Sequence, residues 1–134
     1  MAKTGANKIV GLDLSPGMLE VGKKKVSNKN LQNTIEMVVG DSENLPFEDN
    51  YFDLVISINT IHNLVRSECM QAIREIERVS KGSSYIVVDA YRTESEQKRM
   101  KAWNLTAKTF MHVEDWKNFF AKAGYTGDYY WFIP

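Results

Sequence analysis

Short β-branched runs alternate along the chain with longer stretches whose apolar residues recur every three or four positions, the two periods of strand and helix. Ile9-Val10-Gly11-Leu12 is the first such run, with the composition of a strand buried on both faces. Asp13 closes it. Ser15 then supplies a helix N-cap, and Pro16 sits in the first turn, where a missing N–H costs nothing. Met18, Leu19, Gly22 and Val26 follow at helical spacings, with Lys23, Lys24 and Lys25 gathered at the C-terminal end, where cations are favoured. A polar return leads to a second buried strand, Ile35–Val39, closed by Gly40 and Asp41. A third strand is expected over Tyr51–Ile58, with Asp53 at its entry accepting backbone N–H groups and Asn59-Thr60-Ile61-His62-Asn63 at its exit. Cys69, Ile73, Ile76 and Val79 mark a helix face that stops at Gly82, and Tyr85–Asp89 reads as a fourth strand. Met100, Trp103, Ala107 and Phe110 give a loose helical stripe within Thr93–Met111, long enough to cover a pocket or to pack on the core. Trp116, Phe119, Phe120 and Ala123 predict a clean amphipathic helix ending at Gly124, and Tyr129–Ile133 a last strand.

Strands alternating with helices, with polar residues at the strand exits, imply an α/β fold: a mostly parallel sheet with helices on both faces. Ligands bind such open sheets outside the carboxyl ends of the strands, which is where Asp13, Asp41 and the cluster beginning at Asn59 fall. A carboxylate at position 13 has two readings, an acceptor for both hydroxyls of a vicinal diol or a solvated acid in a strand–helix turn. Asp41 repeats the placement. Its carboxylate suits an exocyclic amine, and the N–H of Ser42 behind it suits a ring nitrogen, the pair that reads the edge of an adenine.

The charges change little. Across 134 residues 17 basic side chains balance 17 acidic ones, so no broad field draws the chain toward nucleic acid or an anionic membrane. Lys23–Lys25 reads as a solvated helix end, because no aromatic residues interleave with it. Cys69 is the one cysteine, so no internal disulfide forms; with no signal-peptide pattern and no long apolar run, a cytoplasmic protein is expected. His62, His112 and Cys69 lie too far apart in sequence for a metal-ligand pair. No glycine-rich phosphate loop is present, which disfavours dinucleotide chemistry.

Gly11–Leu19, Gly40–Phe47, Phe52–Val55 and Asn59–His62 resemble, in order and spacing, the class I S-adenosylmethionine-dependent methyltransferases, above all the branch acting on small molecules and on quinone or sterol precursors. The resemblance spans about Lys8 to Gly124 and implies a Rossmann-like sheet and S-adenosyl-L-methionine as cofactor. It implies that Asp13 binds the ribose hydroxyls, that Leu14 packs on the adenine and that Met18 lines the same pocket. Asp41 would accept from the adenine amine and Ser42 would donate through its N–H. Asn59 and Thr60 would sit beneath the methionine portion, with Ile61 and His62 facing the methyl or the acceptor. His62 is the candidate catalytic base, with a packing role as its alternative; Tyr91 is a weaker candidate.

The family pattern opens with a central strand and a glycine-rich loop, and this sequence begins after them; Met1–Asn7 reads as the end of the following helix and turn. The expectation is therefore a single, incomplete methyltransferase-like domain over residues 1–134, truncated at the N-terminus and short of the family's last hairpin. Three arrangements would answer the missing strand: its two neighbours pair directly, a second copy completes the sheet as a homo-oligomer or swapped dimer, or the chain is part of a longer protein. The functional expectation is methyl transfer to a small-molecule acceptor, with an inactive fragment or interaction module as its alternative.

Overall fold

The computed structural model describes residues 5–133, so the expectation for Met1–Thr4 lies outside it; the chain divides into two compact units, Met1–Pro46 and Phe47–Pro134. In the first, β1 (Ile9–Asp13) and β2 (Ile35–Val39) pair in parallel, with Ile9 opposite Ile35 and Asp13 opposite Val39. The ladder continues where Gly40 N–H donates to the Asp13 carbonyl at 3.1 Å. Helix α1 (Pro16–Asn28) is the crossover, capped by Ser15 Oγ accepting from Met18 N–H at 3.4 Å. At Gly22 a Cβ would stand 2.6 Å from Met37 Cε, the movable end of a flexible side chain on β2. Leu19 is the helix's buried residue.

The second unit is built around β4 (Ser84–Tyr91), almost wholly buried. It pairs in parallel with β3 (Val55–Ile58), with the two-residue β5 (Met111–His112) and with β6 (Asp128–Phe132). Ile86 and Val88 of β4 pack with Ile73 and Ile76 of α2 (Arg66–Val79) and with Trp116, Phe119 and Phe120 of α4 (Val113–Ala123). The strand's two-residue period turns Val87 to the other face, and α3 (Glu94–Trp103) also packs on β4. The arrangement is the α/β, mostly parallel, Rossmann-like layering expected, with Gly124 capping α4 in the left-handed conformation at φ 74°.

Three expectations change. The third strand shortens to Val55–Ile58, and Phe52 before it makes only an isolated parallel bridge to Ser80: its N–H donates to the Val79 carbonyl and its own carbonyl accepts from Lys81 N–H, both at 2.9 Å. Arg78 fastens the same segment, its guanidinium reaching Glu75, Asp49 Oδ1 at 2.9 Å and the Phe47 carbonyl at 2.8 Å. Asp53 pairs with the Lys81 ammonium at 3.0 Å instead of accepting backbone N–H groups. The helical stretch ends at Trp103, because the Asn104 side chain takes over the backbone: its Oδ1 accepts from Thr106 and Ala107 N–H at 3.1 and 2.7 Å, and its Nδ2 donates to the Ala107 carbonyl. The ladders among the described residues join β1 to β2 in the first unit, and β3, β5 and β6 to β4 in the second.

Candidate functional site

In the first unit, parallel pairing brings the exits of β1 and β2 to the same end of the sheet, and with them both acids. Asp13 is opposite Val39 in register, and Asp41 follows two residues later. Both side chains are exposed. Each uses one oxygen to hold its own turn: Asp13 Oδ1 accepts from Ser15 N–H at 2.8 Å and Asp41 Oδ1 from Glu43 N–H at 2.9 Å. Among the described residues neither Oδ2 accepts a bond, so each acid keeps an oxygen for a ligand. The N–H of Ser42 likewise has no partner among them. Two apolar side chains stand exposed alongside, Leu14 at 68% and Met18 at 61%. Acceptors, a donor and apolar surface at one sheet end fit a nucleoside.

A cavity lies at the other end. A groove of about 600 Å³, bordered by Lys8, Lys23, Val26, Thr34 and Glu36, opens at the N-terminal ends of β1 and β2. The Lys8–Glu36 ion pair at 3.0 Å sits on its edge.

In the second unit, β3 ends on Asn59, which takes the left-handed conformation at φ 52° and donates its N–H to the Val87 carbonyl at 3.0 Å. Asparagine tolerates that conformation better than other side chains. Thr60 Oγ1 donates back to the Ile58 carbonyl at 3.0 Å, and the chain enters a 3-10 turn, Ile61–Asn63. His62 lies in that turn but is only 4% exposed. Its Nδ1 accepts from Asp89 N–H at 3.2 Å and its Nε2 faces Asp89 Oδ2 at 3.5 Å. A ring nitrogen that accepts carries no proton, so the neutral ring is protonated on Nε2. Burial pulls the His62 pKa below its ordinary value against the opposing pull of the Asp89 charge. Burial likewise raises the Asp89 carboxyl, opposed by His62.

Tyr91 packs its ring against Phe110 and His112, with centroids 5.0 and 5.6 Å away. Beside it Arg92 forks onto Glu96, which holds the Glu96 carboxyl down at about 2. Cys69 is fully buried, and burial pushes its thiol up to about 12. Among the described residues no group of three or more His, Cys, Asp or Glu is placed to hold a metal ion. The sequence reading named His62 but passed over Asp89. Asp89 closes an apolar run just as Asp13 does, a signal that could have found it, but its burial against His62 is a tertiary property.

The family model for a methyltransferase domain matches residues 1–88. A demethylmenaquinone methyltransferase of Symbiobacterium thermophilum is 35% identical over 118 residues, 87% of this chain and 45% of the relative. The sterol 4-C-methyltransferase strm-1 of Caenorhabditis elegans is 30% identical over 108 residues, 80% of this chain and 31% of the relative. A solved structure of a putative S-adenosyl-L-methionine-dependent methyltransferase from Methanococcus maripaludis aligns with a TM-score of 0.56 at 32% identity, covering 87% of this chain and 50% of that one. The chain thus spans less than half the length of these two curated relatives. Parallel strands whose acids emerge at one end, a family model covering most of the chain and relatives of one chemistry agree: the chain belongs to the methyltransferase-domain family and has the class I S-adenosylmethionine-dependent methyltransferase fold.

Proposed function

We propose that the chain binds S-adenosyl-L-methionine through its first unit and serves methyl transfer to a small-molecule acceptor. The observation that carries this reading is the pair Asp13 and Asp41, each with one oxygen tied to its own turn and one left over. Asp13 takes the ribose hydroxyls and Asp41 the adenine amine; the Ser42 N–H donates to a ring nitrogen, and Leu14 and Met18 cover the base. The bound cofactor supplies a methyl group already activated on a sulfonium. The protein's task is then to hold the partners in line and to exclude water, and no base is required. For His62 the geometry favours the packing role, since one nitrogen accepts from Asp89 N–H and the other faces the Asp89 carboxylate. The curated relatives named for quinone and sterol chemistry point to an apolar ring compound as acceptor.

Isothermal calorimetry with S-adenosylhomocysteine tests the reading. Saturable binding that Asp13→Ala and Asp41→Ala each weaken supports it; absence of heat at millimolar protein and ligand refutes it. The alternative, an inactive interaction module, draws on Ile56 and Ile58, exposed on a strand with a single partner among the described residues. An obligate oligomer by light scattering together with no ligand binding would favour that alternative.

A further inference from the structure

The turn that follows β3 is backed by a buried acid that the proposed chemistry does not use. Asp89 is 4% exposed, and its one ionic partner among the described residues is His62. Its backbone N–H donates to His62 Nδ1, its carboxylate faces His62 Nε2, and its carbonyl accepts from Trp116 Nε1 at 3.0 Å. His62 passes the constraint on. Its carbonyl accepts from both Lys108 and Thr109 N–H at 2.9 Å, and Thr109 Oγ1 donates to the Leu64 carbonyl at 2.8 Å. Inside the turn Asn63 N–H donates to the Thr60 carbonyl and Asn63 Nδ2 to the Asn59 carbonyl. A chain of bonds therefore runs from Asp89 through one imidazole to the backbone of Asn59 and Thr60.

A buried carboxylate is costly unless it is hydrogen-bonded. An aliphatic residue at position 89 would fill the strand without that cost, so the acid has work to do on its neighbour. Facing Nε2, it selects the tautomer whose Nδ1 is bare, and only that tautomer can accept the Asp89 N–H. With the other tautomer two N–H groups would point at each other.

We propose that Asp89 is a positioning residue: by fixing the His62 tautomer it locks the turn Ile61–Asn63 and, through it, the backbone at Asn59 and Thr60.

The test compares Asp89→Asn, which keeps an acceptor facing Nε2, with Asp89→Ala, which removes it. Two readouts are taken: ¹⁵N shifts of the imidazole and exchange rates of the Asn63 and Leu64 amides. The wild type and Asp89→Asn are expected to show Nε2–H and protected amides. Asp89→Ala is expected to speed exchange at those amides at least tenfold over α2 amides. A His62 ring protonated on Nδ1 in the wild type overturns the proposal, as does an Asp89→Ala variant with unchanged amides. If Asp89→Ala does not fold, the wild-type tautomer and its retention in Asp89→Asn decide.

Discussion

Trp116 is the side chain whose removal the second unit should feel most. It is fully buried, its ring lies 5.7 Å from both Phe119 and Phe120, and its Nε1–H meets the Asp89 carbonyl at 3.0 Å. Two substitutions separate packing from hydrogen bonding. Trp116→Phe keeps most of the ring and leaves a buried carbonyl without its donor, a loss of about 1–3 kcal/mol. Trp116→Ala also opens a cavity, and large aromatic deletions of this kind cost about 3–5 kcal/mol. A domain's whole stability is about 5–15 kcal/mol, so the alanine variant approaches the limit of folding. With a urea m-value near 2 kcal/mol/M, the phenylalanine variant should unfold about 1 M earlier with m unchanged, followed by far-UV circular dichroism. A Trp116→Phe midpoint equal to wild type would refute the role of the hydrogen bond. A Trp116→Ala variant no weaker than Trp116→Phe would refute the packing argument.

The same physics sets further outcomes. At Gly127 a Cβ would stand 2.7 Å from the Ser84 carbonyl oxygen, a backbone atom that cannot swing aside; Gly127→Ala is expected to lower stability by about 1–3 kcal/mol in urea unfolding, the cost of overpacking. His62 has a folded pKa below the ordinary 6.5, so the unfolded chain binds the proton more readily. Its contribution to stability is complete above pH 6.5 and is lost as pH falls through the folded value. Thermal melts should drop across that window, and His62→Gln should flatten the slope. Cys69, with its thiol pushed up to about 12 and no exposed surface, is expected to resist a thiol reagent at pH 8 until the protein unfolds. Modification of the native protein within minutes would contradict its burial.

The strands, their parallel layering and the acids at their exits were legible because each rests on local pattern: β-branched runs, Ser15 as a cap, and apolar spacing from Trp116 to Ala123. Where the reading slipped, a distant or side-chain partner overrode that pattern. Phe52 does pair as a strand residue, but only in an isolated bridge to Ser80, and Asp53 after it turns to the Lys81 ammonium. The stripe from Met100 to Phe110 is broken by Asn104, whose amide closes a turn on Thr106 and Ala107. At the site, Asp13 and Asp41 announce themselves by position. The burial of His62 does not, because it depends on Asp89, twenty-seven residues away in sequence.

The central claim is that Asp13 holds the sugar of a nucleoside and Asp41 its base. Calorimetry of S-adenosylhomocysteine, of its 2′,3′-dideoxy analogue and of its analogue lacking the 6-amino group, each against wild type, Asp13→Asn and Asp41→Asn, tests it most directly. Each asparagine keeps an oxygen for the Ser15 or Glu43 N–H, so the turns survive. Hydrogen bonds to a charged acceptor contribute about 1.5–3 kcal/mol, roughly 10- to 100-fold in Kd. Asp13→Asn should weaken the parent ligand by that factor and the dideoxy analogue hardly at all, and Asp41→Asn should show the same selectivity for the deaminated analogue. Equal losses for all three ligands, or no loss for any, would contradict the assignment.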